Sequence, residues 1–212
     1  RRINQKNQVA NATLVNVPFD AEYWQKVARE QYPIGLPEPY SNDPTQWIFH
    51  GHPADTEQSS ILQVAVGRLL GYHWPPELDS EMRLSNEARE WVSRCSELEE
   101  YADQDGIVCL SATRGERSAA DRLRSLLSAA FGSEWSAGKE RELLSSIDSN
   151  KKPTKSLEAW LRDRFFEEHC KLFYHRPFIW HIWDGNKTGF HCLINAHKLT
   201  GPNGEGRRTL EA

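Results

Sequence analysis

The side chains in this chain that could do chemistry are its eight histidines, its four cysteines and a late group of cations. His50 and His52 stand two apart, a spacing that puts both on one side of a strand. His169, Cys170 and His175 cluster in sequence, and His181 falls in an apolar run that can face Cys192. A structural zinc site needs two tight ligand pairs. Here the pairs are scattered and mixed, so the histidines read as hydrogen-bonded structural residues and not as a metal centre. Cys95, Cys109, Cys170 and Cys192 form no C-x-x-C pair and no disulfide-like spacing, which points to a reducing, cytoplasmic setting.

Nucleophilic and nucleotide chemistry lacks its usual frames. There is no G-x-S-x-G elbow, no P-loop and no glycine-rich dinucleotide fingerprint. The Asp…Glu-x-Lys arrangement of a nuclease is also absent, which speaks against an independent hydrolase or nuclease. On these grounds no catalytic, cofactor-binding or metal-ligating residue is assigned.

The cations are the remaining candidates. Net charge is −4, so the whole chain is not an electrostatic footprint for nucleic acid. The charge is unevenly spread, however. Residues 77–105 carry ten acids against three arginines, which suits a solvated face that repels phosphate. From Lys151 onward there are eleven Lys and Arg against seven acids. Arg162, Arg164, Lys171, Arg176 and Lys187 flank one late helix and hairpin, with aromatic residues interleaved, and are the expected phosphate contacts. Arg164 and Lys171, seven apart, would share a helix face, with Arg162 pointing elsewhere.

The elements that must position these residues are mostly helices. Asp20 caps a helix over Ala21–Gln31; others are expected over Ile61–Leu70, Asn86–Tyr101, Ala119–Phe131, Ser136–Ile147 and Leu157–Phe173. Residues 32–53 are rich in proline and aromatics and read as an ordered loop. Ile107–Leu110 is a possible lone strand. Phe178–Trp183 and Phe190–His197 form a hairpin around an Asp184-Gly185 turn. With Asp184 opposite Gly189, His181 faces Cys192 and Ile179 faces Ile194. Both hairpin faces are then apolar and should be covered, with Trp180, Trp183 and Phe190 as hairpin core under the Leu157–Phe173 helix.

The expected fold is therefore α+β, mainly α-helical, with helices packed on a late antiparallel β-hairpin. Its expected organisation is a polar leader or edge segment (1–17), a helical region (18–147) containing the proline-rich loop, a linker (148–155), and a helix plus hairpin unit (156–212). The chain does not begin with Met and closes on RRTLEA, a helical start, which reads as a piece of a longer polypeptide truncated at its C-terminus. No apolar run reaches membrane-spanning length, so no membrane partner is expected.

Two phrases carry a resemblance. The first is YPIGLPEPYSNDPTQWIFHGHP followed by ILQVAVGRLLGYHWP. The second is SLEAWLRDRFFEEHCKLFYHRPFIWHIWDGNKTGFHCLINAHKL. Together they resemble the non-catalytic part of large adenine-specific DNA methyltransferases of bacterial phage-defence systems, BREX-like and DISARM-like, related to type IIG restriction–methylation enzymes. The resemblance covers most of residues 18–212. It implies a parent enzyme that uses S-adenosylmethionine to methylate an adenine amine held by an Asn-Pro-Pro-Tyr motif. Asn42-Asp43-Pro44-Thr45 and Pro37-Glu38-Pro39-Tyr40 are similar in composition but lack the paired prolines after Asn or Asp. No catalytic or cofactor residue is therefore carried over. What the resemblance implies here is an accessory segment, for DNA recognition or as a scaffold. Its expected partners are duplex DNA and the catalytic domain of the same polypeptide. The alternative is a protein-interaction module docking other proteins of the same defence system without touching DNA.

Overall fold

The structure, a computed structural model, describes residues 19–33, 51–82, 84, 86–113, 115–147 and 154–199. The segments 1–17 and 200–212, and most of the 32–53 loop and the 148–155 linker, lie outside the described residues. The chain forms two compact units, residues 1–40 and 41–212. In the first, helix α1 (Ala21–Gln31) is capped by Asp20, whose Oδ1 accepts from the Tyr23 amide at 3.0 Å, and none of its residues is buried.

The second unit is built around helix α2 (Ile61–Leu69), every residue of which is buried. A helix apolar on all sides belongs at the centre of a core. It stops where Gly71 takes φ 75°. There the Lys198 side chain passes directly against Gly71 and Gly106, both at positive φ, to donate to the Asp103 and Gln104 carbonyls at 2.9 and 2.8 Å. A side chain at either glycine would be strained by the backbone and would meet that lysine.

Arg68 is the one cation of α2, and it is only 2% exposed. Its Nη1 donates to both Glu77 carboxylate oxygens at 2.7 and 2.8 Å and to the Tyr72 carbonyl at 3.0 Å, and its Nη2 donates to the Cys95 carbonyl at 2.8 Å. Glu77 in turn accepts from the Trp74 amide at 2.6 Å. This joint ties α2 to the short helix α3 (Pro75–Leu78) and to the end of α4 (Asn86–Ser96). The helical pattern through Tyr101 ends sooner than expected, and Glu99–Tyr101 is a 3₁₀ turn.

Helix α5 (Ala119–Phe131) matches its expected bounds and buries Leu123, Leu126, Leu127 and Ala130. Ser118 caps it by accepting from the Asp121 amide, and Gly132 ends it at φ 54°. Helix α6 (Ala137–Ser146) follows. Arg124 of α5 clasps α6 and the next helix through Glu140 and Glu158.

The long late helix is broken in two, α7 (Leu157–Asp163) and α8 (Phe165–Leu172), at Arg164, whose φ is −137°. The break sets Phe165 edge-on to Trp160 at 5.4 Å, with both rings fully buried. After α8, Tyr174 and His175 both take the left-handed conformation (φ 50° and 61°) and turn the chain towards the hairpin.

The described strands make one antiparallel sheet, β1 (Ile107–Cys109), β3 (His191–Asn195) and β2 (Ile179–Trp183), with β3 in the middle. The fold is thus α+β and mainly helical, with helices packed on a late hairpin that a third strand extends.

The hairpin register differs by one residue from the sequence expectation. Ile179 pairs with Asn195, His181 with Leu193 and Trp183 with His191. Asp184 lies opposite Phe190, not Gly189, because the loop takes one more residue. The Asp184 carboxylate accepts from the Asn186 amide at 2.8 Å and Gly185 sits at φ 89°. A one-residue slip moves every β3 side chain to the other face.

The packed face therefore carries Val108, Ile179 and Leu193, all of which join the helical core, together with His181, Trp183, His191 and Asn195. The other face carries Trp180, Ile182, Phe190, Cys192 and Cys109. Trp180, Trp183 and Phe190 are not hairpin core; they are 51, 51 and 52% exposed. Trp180 and Phe190 lie half-exposed on the face opposite the helical core, and Trp183 is half-exposed at the end of β2.

Candidate nucleic-acid interface

The site grows from the end of the sheet. Trp183 and His191 form a non-hydrogen-bonded pair, since the flanking 184–190 pair carries a ladder bond. Side chains approach closely at such pairs, and here the indole stacks on the imidazole at 5.5 Å. His181 is diagonal to His191 on the same face, and its Nε2 lies 2.9 Å from His191 Nδ1.

The protonation pattern of the neutral pair follows from its partners. His191 Nε2 lies 3.1 and 3.2 Å from the Asn186 and Lys187 carbonyls, which can only accept. That nitrogen therefore carries the proton, and Nδ1 must accept from His181 Nε2–H. The remaining basic atom is His181 Nδ1, which makes no hydrogen bond with another described residue. Burial, and then the neighbouring His191, hold the His181 pKa below the ordinary histidine value. A neutral acceptor at the end of a two-ring chain can receive a hydrogen bond from an amine or hydroxyl.

Around this pair lies a cleft of about 390 Å³ lined by Arg162, Asp163, Arg164, Phe166, Glu167, His181, Trp183, Lys187 and His191. Arg162 donates through Nε and Nη2 to the two oxygens of its neighbour Asp163, each at 2.9 Å. Lys187 Nζ reaches the same carboxylate at 3.7 Å. The Arg162 hydrogen bond, followed by the nearby Lys187 charge, holds the Asp163 carboxyl below its ordinary range. A second cleft of about 480 Å³ shares Arg162, Lys187 and His191 and adds the wall Leu110, Ser111 and Ala112 that follows β1.

The structure thus brings together three of the five expected phosphate contacts, Arg162, Arg164 and Lys187. Lys171 stands apart, engaged by Glu167 at 2.6 Å, and Arg176 follows the left-handed turn, exposed but outside both clefts. The break at Arg164 interrupts the single helix on which Arg164 and Lys171 were expected to share a face. It leaves Arg162 on the cleft, where the periodicity of an unbroken helix put it elsewhere. Asp163 and His191 were not expected in the site. Asp163 carries no special spacing, and His191 was hidden by the register.

Two other histidines serve the fold. His52 Nδ1 accepts from the Ala54 amide at 3.2 Å, and its ring tilts against Trp91. His169 is fully buried; Nε2 accepts from the Ile179 amide at 3.3 Å, so Nδ1 donates to Gln63 Oε1 at 3.1 Å. Burial pushes its pKa down to about 3. His50 lies outside the described residues. Among the described residues no three His, Cys, Asp or Glu side chains are grouped to hold a metal ion, and no helix is long and apolar enough to cross a membrane.

A cleft of about 500 Å³ beside α5 has the opposite character, with Glu100, Asp103, Asp105 and Glu116 against Arg117 and Arg122. Set against known families and curated proteins, the chain matches no family model and no curated protein.

Proposed function

We propose that this chain is an accessory segment of a cytoplasmic, adenine-specific DNA methyltransferase of restriction–modification or phage defence, and that it contacts duplex DNA. The parent's chemistry rests on the two-phrase resemblance, and S-adenosylmethionine belongs to that parent's catalytic domain. DNA contact rests on one observation: Arg162, Arg164 and Lys187, from two separate elements, line a single cleft beside a half-exposed Trp183. Cations delivered from a helix break and a hairpin tip suit a phosphate backbone, and the indole suits stacking. Asp163 and Glu167 offset part of that charge, so binding is weak and strongly salt-dependent.

Fluorescence anisotropy with a duplex at two salt concentrations tests this. Each phosphate contact contributes a slope of about −0.9 in log K against log salt. Changing Arg162, Arg164 and Lys187 together to Ala is expected to abolish most of the binding. Lys171→Ala with Arg176→Ala is expected to change it less. Equal binding by the triple variant would remove the cleft from the interface. Titration of the chain with S-adenosylmethionine in a calorimeter is expected to give no binding heat.

A second reading has its own observation. Trp180, Ile182 and Phe190 lie together on the sheet face opposite the helical core at 51, 48 and 52% exposure. Such an apolar patch suits docking onto the catalytic domain or another defence protein. Absence of duplex binding at low salt, together with loss of association between this chain and the catalytic domain on Trp180→Glu, would favour this reading.

A further inference from the structure

The sheet register sets two cysteines against each other. Cys109 of β1 is the direct partner of Cys192 of β3. The ladder places this pair at a particular kind of position. The Leu110 amide donates to the His191 carbonyl, and the Asn195 amide donates to the Gly106 carbonyl. Hydrogen-bonded pairs alternate with non-bonded ones along an antiparallel ladder. Pairs 110–191, 108–193 and 106–195 are therefore the bonded ones, and 109–192 is a non-bonded pair. Its side chains stand on the sheet face opposite the helical core, and opposite Cβ atoms at such positions lie at the near end of about 4.5–5.5 Å. Cys192 is 4% exposed, whereas Cys109 is partly exposed. Cys95 and Cys170 lie on helices α4 and α8 and have no cysteine opposite them.

We propose that Cys109 and Cys192 form a reversible thiol–disulfide site, closed by a low-molecular-weight disulfide such as oxidised glutathione. Cys109, the accessible partner, attacks first. Its thiolate bonds to one sulfur of the small disulfide and expels the other as a thiolate, which takes up the proton Cys109 gave up. Cys192 then loses its proton and attacks Cys109 Sγ. The second small thiolate leaves and takes that proton. The two cysteines are oxidised to one disulfide, and the small disulfide is reduced to two thiols.

A disulfide needs its Cβ atoms about 3.5–4.5 Å apart, a range that the near end of the open pair's spacing meets. With Cys109 partly exposed, the bond stays within reach of a reducing thiol. Burial raises the Cys192 thiol to about 11 and also raises Cys109, so both rest as thiols and closure is slow at neutral pH. These properties suit a site that cycles, not a permanent staple. Closing it would fix β1, and hence the Leu110–Ala112 wall of the second cleft, to the strand that carries His191.

The test is incubation of the native chain with oxidised glutathione, alkylation of remaining thiols, and peptide mass spectrometry without reduction. The expected product is one intramolecular Cys109–Cys192 link, reversed by dithiothreitol, with Cys95 and Cys170 alkylated. Cys192→Ala should trap glutathione on Cys109, and Cys109→Ser should give no link; circular dichroism checks that both variants remain folded. A link formed only in urea, a link through Cys95 or Cys170, or stable glutathionylation of Cys109 in the unchanged chain would overturn the proposal. So would no reaction at either cysteine.

Discussion

His169 and the His181–His191 pair lie at opposite ends of β2 and show two uses of one side chain. His169 is enclosed, and both of its ring nitrogens are consumed by the fold, one by the Ile179 amide and one by Gln63. Gln63 completes the link by donating to the Phe165 carbonyl at 3.4 Å. The result is a closed circuit joining α2, α8 and β2. The His181–His191 chain begins on the loop carbonyls and stops at His181 Nδ1, on the wall of a cleft. A closed circuit holds elements together, while an open one leaves an atom for a ligand. Burial alone does not separate the two cases, because His191 is itself only 6% exposed.

The largest test of this contrast is His169→Ala. It empties a fully buried site and strips partners from Gln63 and Ile179, so a loss of about 3–5 kcal/mol is expected by urea unfolding. His181→Ala, at the half-buried wall, should cost about 1 kcal/mol. Similar losses would erase the distinction. Next is pH. The folded His169 pKa of about 3 lies below the ordinary 6.5, so in acid the unfolded chain takes a proton that the folded ring refuses. Stability is thus flat in this term above pH 6.5 and falls as pH drops from there towards 3, by about 2 kcal/mol at pH 5. His181 contributes with the same sign. His169→Gln should flatten most of that slope between pH 6.5 and 5; an unchanged slope would assign it to other groups.

The smallest effect concerns the half-exposed sheet face against the buried helical core. Trp180→Ala is expected to cost about 1 kcal/mol, against about 3–5 kcal/mol for the buried Trp160→Ala. Thermal melts of the two variants measure the difference. A large loss at Trp180 would mean that the open face is covered.

Helices were the most legible part of the sequence. Ser118, Leu123, Leu126, Leu127 and Gly132 state a cap, a stripe and a stop, and α5 has the expected bounds. The Leu157–Phe173 pattern kept helical spacing across Arg164, because side-chain periodicity survives a backbone break that tertiary packing imposes. The hairpin was legible as two strands and a turn, but not in register. Asp184-Gly185 fits several loop lengths, and both strands are apolar on both sides, so the sequence had no polar stripe to set the face. That single residue of slip hid His191 behind Cys192; the expectation that both apolar faces are covered put Trp180 and Phe190 in the core, and reading Ile107–Leu110 as a lone strand concealed the pairing of Cys109 with Cys192. Arg162, Arg164 and Lys187 were legible as cations, but their meeting in one cleft depends on the break and the register. Arg68 gave one signal, a lone cation in the apolar run ILQVAVGRLL, and nothing in sequence announced Glu77 as its partner.

The Arg68 joint bears on how this region breathes. Its guanidinium is held by α2's own exit at Tyr72, by Glu77 and by the Cys95 carbonyl, three points spread along the chain. Withdrawing Glu77 while the rest stays folded would strand a buried charge, and withdrawing either carbonyl would take an acceptor from a buried guanidinium. The segment from Tyr72 to Cys95 therefore has no inexpensive partial opening and releases as a block. In native-state hydrogen exchange the Trp74 amide, bonded to Glu77, and the Leu98 amide, which donates to the Cys95 carbonyl, should share one opening free energy, although 24 residues separate them.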